Sequence, residues 1–311
     1  MGWMLCLCSK HARLCLVAGL MAGALLPQLA RALQPWLPQM VAILLTVTAL
    51  RIGHRAALGA AHDLAWGLGA VFVLQLALPL VCYAALWMLG LTQTPAALAL
   101  VLVAAAPAIS GGPNLALLLG QDAGRMMQIL VLGTAAFPVT VLPVLALFPQ
   151  LGPPTEVIQS ALAVLVVIVI ATLLGFVLRA RIFPHPNARQ VQTLDGASVI
   201  AFSVIVVALM APLNAAVRAD ASSVLLWAIF AFAISYGLQF TTLICLRNSR
   251  LRPVAGPLAI GAGNRNIALF LVALPPETIA PLLIFIACWQ LPMYLTPLLL
   301  PRLYRWALPH D

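Results

Sequence analysis

Apolar residues gather in ten long blocks, near residues 12–30, 36–52, 64–90, 94–119, 124–149, 156–179, 194–213, 221–245, 254–274 and 276–301. The blocks are continuous runs of Leu, Ala, Val and Ile. The short separators carry Pro, Gly, Asn and charge, as in the stretch from Arg181 through Pro184, Pro186 and Asn187 to Arg189. A transmembrane barrel strand would need about ten residues of alternating polarity, whereas an uninterrupted run of about 20 apolar residues is a helix that crosses a bilayer. The pattern therefore predicts an all-α integral membrane protein of ten transmembrane helices.

Composition removes the alternatives. Of 311 residues 64% are hydrophobic and 7% charged, with a mean hydropathy of +1.09; a soluble domain carries about 25% charged residues, so a water-soluble fold is excluded. Positively charged loops stay in the cytoplasm. With both termini inside, thirteen of the sixteen cations fall on cytoplasmic segments, and only Arg31 and Arg218 fall on outward loops, beside Glu156, Asp220 and Glu277. This bias predicts a multi-pass protein of the cytoplasmic (inner) membrane with both termini cytoplasmic. It also assigns the net charge of +9 to topology and attraction to the lipid bilayer, with no nucleic acid as partner. The first block is read as a retained helix and not a cleaved signal peptide, because cleavage would leave nine spans. Six cysteines lie in helices or on the cytoplasmic side, so no disulfides are expected. Cys6, Cys8 and His11 are too few for a zinc site, and no metal or cofactor is expected.

Two blocks are interrupted in the same way. The first reads Pro107-Ala-Ile-Ser-Gly-Gly-Pro-Asn-Leu-Ala-Leu117 and the second Pro257-Leu-Ala-Ile-Gly-Ala-Gly-Asn-Arg-Asn-Ile-Ala-Leu269. Pro107 and Pro257 are 150 residues apart, and Asn114 and Asn266 are 152 apart. The offset spans five helices, an odd number, so it predicts a single polytopic domain, residues 1–311, made of two inverted five-helix repeats, about 12–149 and 156–301. Pro and clustered Gly release backbone groups that hydrocarbon cannot satisfy, so both breaks should face protein or a water-filled cavity. Secondary transporters build substrate and ion sites at such interruptions; the simpler reading is that Gly and Pro only let helices pack closely. The matched pair favours a site formed by Ser110, Gly111, Gly112, Asn114, Asn264, Arg265 and Asn266. A guanidinium at mid-helix costs about 2.5–3.5 kcal/mol on insertion scales, so Arg265 is expected to face a polar cavity with a partner or ligand. One helix before each break lies an amide, Gln75 and Gln239, each either glue between helices or part of a site. Asp195 reads as a helix N-cap at the cytoplasmic interface, with a proton relay as its other role.

These features resemble the bile acid:sodium symporter superfamily, in particular its divergent bacterial members. The resemblance covers most of the chain and rests on the helix count, the Gly-Gly-x-Asn break of span four, the Gly-x-x-Asn-x-Ala-Leu break of span nine and the Gln-(x)3-Pro of span three. It implies a panel domain, a core domain in which broken helices four and nine cross, substrate beside the crossing, and alternating access. Ion coupling carries over poorly. Where the family's sodium sites have a Ser-Asn pair the chain has Pro113-Asn114, and where they have a Glu and a Gln it has Gly261 and Arg265. Gln75 matches the family's span-three Gln, and Gln128 or Thr134 stands in for its span-five Ser and Thr. These departures argue against Na+ as coupling ion; H+, with Asp195 as its relay, or no ion at all, takes its place.

The expected function is a secondary active transporter of a small organic anion. An auxin-efflux-like carrier exporting such an anion is the alternative. An intramembrane enzyme would need a nucleophile and base or a metal cluster, and His11, His54, His62 and His185 sit near loops without a matching core acid. A receptor or assembly factor would leave the duplicated breaks unexplained.

Overall fold

The computed structural model describes residues 2–59, 63–148, 154–184, 186–273 and 279–308; His62, His185 and Glu277 lie outside them. The first half contains helices α1 (Gly2–Lys10), α2 (Ala12–Leu25), α3 (Pro27–Leu33), α4 (Leu37–Gly59), α5 (Leu64–Phe72), α6 (Leu78–Met88), α7 (Pro95–Ala105), α8 (Gly112–Leu118) and α9 (Ala123–Leu145). The second contains α10 (Pro154–Ile182), α11 (Ala188–Leu209), α12 (Ala211–Ala219), α13 (Ala221–Leu246), α14 (Arg252–Gly263), α15 (Phe270–Ala273), α16 (Leu283–Leu299) and α17 (Pro301–Ala307). A π-helical turn, Val73–Ala77, joins α5 to α6. Large apolar side chains stand exposed along α10 (Val166, Ile170, Leu173, Val177) and α13 (Leu225, Leu226, Ile229). On a soluble protein such faces would aggregate; in hydrocarbon they meet their own solvent. The chain is an all-α, multi-pass membrane protein.

Among the described residues six helices are long and apolar enough to cross a membrane, Pro27–Arg51, Leu64–Met88, Ala123–Leu145, Ala188–Ala219, Ala221–Leu246 and Ala280–Leu299, with a seventh if the sharply bent pair Trp3–Lys10 and Leu14–Leu25 is one span. Hydropathy alone suggests ten spans, and local irregularities account for part of the difference. The separator expected near Arg31 is helical, because α3 continues through a 3-10 turn at Gln34–Trp36 into α4. The blocks at 94–119 and 254–274 are each divided by a break, leaving α7 and α14 with 11 and 12 residues.

Two compact units form, Met1–Gly59 with Ala163–Leu225 and Ala60–Leu162 with Leu226–Asp311. In the first, α1, α2, α3 and α4 pack on α11. Small residues permit the approach: a Cβ on Gly19 of α2 would lie 2.9 Å from Ser203 O, and one on Gly196 of α11 would meet the Leu5 backbone. α11 starts at a capping box in which Asn187 and Gln190 accept each other's backbone N–H at 2.9 Å. That cap corrects the expectation for Asp195, which lies inside the helix and pairs with Arg51. Gly53 interrupts α4 at φ +74, a conformation L side chains rarely adopt, and Arg179 Nη1 donates to Leu50 O at 3.2 Å beside the kink.

In the second unit α9 packs against α5, α7, α8 and α14. Phe137 of α9 and Phe270 of α15 meet edge to face at 5.4 Å.

Candidate functional site

α7 stops where Pro107 begins to act. Pro has no N–H to continue the helix, and it drives the preceding Ala106 to an extended ψ of 147. α14 ends at Gly263, and Asn264 turns to φ −117 and ψ 87. The two unwound stretches pair with each other. Ile109 N–H donates to Asn264 O at 2.9 Å and Asn266 N–H donates to Pro107 O at 2.8 Å, flanking an antiparallel bridge between Ala108 and Arg265. Two interruptions that hydrocarbon would penalise thus satisfy each other.

At the second break the accounting closes carbonyl by carbonyl. Ala262 O accepts from Arg265 Nε at 3.0 Å and Gly263 O from Ser235 Oγ at 2.8 Å. Asn264 O takes Ile109 N–H, Arg265 O accepts from Trp289 Nε1 at 3.0 Å, and Asn266 O accepts from Leu269 N–H at 3.2 Å. Arg265 reaches further. Its Nη1 donates to Ala106 O and its Nη2 to Leu74 O, both at 2.9 Å, and the residue is 1% exposed. Each acceptor is released by a local irregularity. Leu78 N–H bonds Val73 O in the π register, so the next donor for Leu74 O would be residue 79, which is Pro79 and has none. Ala262 O loses its helical donor because Asn266 N–H goes to Pro107. Arg265 therefore meets main-chain oxygens in place of the polar cavity expected of it, because unpaired carbonyls inside a membrane protein are the strongest acceptors within its reach.

The amides divide by role. Asn264 donates to Ile260 O at 3.1 Å and accepts from Thr296 Oγ1 at 3.1 Å. Thr296 also meets Gln239 Nε2 at 3.4 Å, and Gln239 Oε1 accepts from Tyr304 OH at 2.8 Å. A buried polar chain thus runs from the break through α16 and α13 to α17. Gln75 is the counterpart in the other half: its Oε1 accepts from Thr140 Oγ1 at 3.2 Å, and its amide nitrogen fills the place a Cβ on Gly133 would take. Each Gln oxygen is held by a hydroxyl from a neighbouring helix, which suits glue between helices.

The first break is more open. Ser110 there, like Asn266 of the second break, is buried, yet neither side chain makes a hydrogen bond among the described residues. Gly111 has nothing within 4 Å of where a Cβ would stand, while Gly112 packs on Met126, and Asn114 is half-buried in α8. Gln128 lies elsewhere: its Nε2 donates to Asp63 O at 2.9 Å and its Oε1 accepts from Arg125, whose guanidinium pairs with Asp63 and sits 4.7 Å over Trp66. Thr140, and not Thr134, is the α9 hydroxyl that meets Gln75.

Ser235, Thr140, Thr296, Trp289 and Tyr304 were not singled out by the sequence. Of these only Ser235 had a signal, its i,i+4 spacing to Gln239. A cavity of about 530 Å³ also opens in this unit, lined by Trp66, Val73, Leu74, Leu238, Leu258 and Ala262 among others. Its polar side chains are Trp66, Thr241, Thr242 and Cys245, with no cation among the lining residues, so it suits a largely apolar group. No family model and no curated protein matches this chain, so the geometry of the paired breaks stands by itself.

Proposed function

We propose that the protein is a secondary transporter that carries a small organic anion (a carboxylate, sulfonate or bile-acid-like molecule) across the cytoplasmic membrane by alternating access, and that it is not an enzyme. In this reading ten spans form two inverted five-helix repeats, broken spans four and nine cross, and both termini are cytoplasmic. The carrying observation is the pairing of the two unwound stretches, with Ile109 N–H on Asn264 O at 2.9 Å and Asn266 N–H on Pro107 O at 2.8 Å. A packing device needs no unwound backbone, whereas a carrier uses it to place polar groups at mid-membrane. The repeat draws support from the two compact units: apolar blocks one, two, six and seven fall mainly in one, blocks three to five and eight to ten mainly in the other. Each half is therefore divided in the same way.

Within the site the roles separate. Asn264 and Arg265 hold the joint, since their polar atoms are engaged within the protein. Ser110 and Asn266 retain hydrogen-bonding capacity, and with Gly111, Gly112 and Asn114 they form the surface that meets the polar end of the substrate.

Uptake into proteoliposomes of labelled carboxylates, sulfonates and bile salts, under imposed proton or sodium gradients, tests the reading. Saturable uptake of at least one anion is expected. Binding of an anion with no translocation in either direction would replace the carrier with a receptor.

A further inference from the structure

Three main-chain oxygens from three separate stretches converge on one guanidinium: Ala262 O, Ala106 O and Leu74 O, at 3.0, 2.9 and 2.9 Å from Arg265. Neither break contains an acidic residue, and the ion pairs among the described residues, Arg51 with Asp195 and Arg125 with Asp63, involve other groups. The positive charge is met by carbonyl dipoles. A ring of neutral carbonyls closed off from solvent is the arrangement by which proteins replace the hydration shell of a monovalent cation. Two of these oxygens also sit at helix ends, where unpaired carbonyls concentrate the negative end of the dipole: Ala106 after α7 and Ala262 in the last turn of α14.

We infer that this ring is a cation site whose occupant is covalently attached. Arg265 ties the two breaks and the π-helical turn together as a tethered cation, and no diffusible cation is needed there. The ligands are backbone, so they remain when the side chain is removed. Arg265→Ala leaves a cradle shaped for a planar cation, and free guanidinium is the ion that fits it. Under the transporter reading, on which this one consequence rests, the transport cycle runs without sodium.

The test uses the full chain, purified in detergent, and reads its melting temperature. Arg265→Ala should melt about 10 °C below the wild type. Guanidinium chloride at about 10 mM, far below its denaturing range, should return at least half of that loss, and urea or tetramethylammonium at the same concentration should return none. The wild type, its site filled, should shift by less than about 1 °C with guanidinium, sodium, potassium or choline. Failure of guanidinium to rescue Arg265→Ala overturns the inference, and so does a sodium-specific rise in the wild type. Should Arg265→Ala not fold, Arg265→Lys is read instead: its ammonium stays in the ring but reaches fewer of the three oxygens, so it should melt below the wild type and gain less than about 1 °C from guanidinium, and a sodium-specific rise in either protein overturns the inference. Uptake equal within about twofold in sodium, potassium and choline is the matching transport result, and about tenfold sodium stimulation would contradict it. A protein that transports nothing would touch only the carrier reading, since the melting data need no substrate.

Discussion

At the second break every carbonyl from Ala262 to Asn266 has a named donor, whereas at the first break Ser110 lacks a hydrogen-bond partner among the described residues and Gly111 stands beside open space. The two stretches share a plan of Pro, Gly and Asn, yet one is a fastened joint and the other keeps room. The same backbone weakness occurs twice, and side chains from α13 and α16 close only the second break. The side-chain capacity left over, at Ser110 of the first break and Asn266 of the second, is what a ligand can use.

Glycine gives the harshest comparison. A Cβ on Gly263 would overlap the Ser235 main-chain oxygen and the Gln239 side chain, while Gly111, at φ −78 and ψ 0, has space and an ordinary backbone. Gly263→Ala should cost about 3 kcal/mol or more, and Gly111→Ala less than about 0.5 kcal/mol. Thermal melting of the two variants in detergent would break the contrast if they fell together.

Next come the unpartnered groups. Ser110→Ala and Asn266→Ala remove no side-chain hydrogen bond among the described residues, so melting should move by no more than about 2 °C while uptake at equal reconstitution falls about tenfold. Asn114→Ala is expected to lower uptake by a similar factor. Normal uptake in all three would return the breaks to a packing role.

A smaller effect separates the two glutamines. Double-mutant cycles should give about 1–2 kcal/mol for Gln239 with Tyr304, whose bond is 2.8 Å, and about 0.6 kcal/mol for Gln75 with Thr140 at 3.2 Å. Equal couplings would mean that the two halves are fastened alike.

The smallest effect lies away from both breaks and serves as their control. The Ser222 hydroxyl, then the Ser223 N–H, hold the exposed Asp220 carboxyl at the start of α13 below its ordinary value. A lowered folded-state value gives stability that is present above the unfolded value of 3.8 and lost as pH falls through the folded one. Asp220→Asn should therefore melt slightly below wild type at neutral pH, with the gap closing in acid. A gap that widened in acid would contradict the assignment.

Much of this was legible beforehand, and the exceptions share a cause. Pro107, Pro257 and the flanking glycines announce the breaks because each acts on its own backbone. Asp195 misled, since a carboxylate at a helix start and one pairing across helices look alike in sequence; the cap belongs to Asn187, eight residues earlier, whose partner Gln190 was also visible. Thr140 and Thr296 gave no sign, because a hydroxyl in an apolar helix is ordinarily absorbed by its own turn.

The chain's own order of residues determined its solvent, its helical class and the two places where helices fail, for these follow from runs of apolar side chains and from Pro and Gly acting locally. Tertiary structure alone decided what meets at those places. Every residue carries a carbonyl, so no letter marks Leu74, Ala106 and Ala262 as the three that Arg265 will find. Only the approach of α7, α14 and the π-helical turn makes them neighbours.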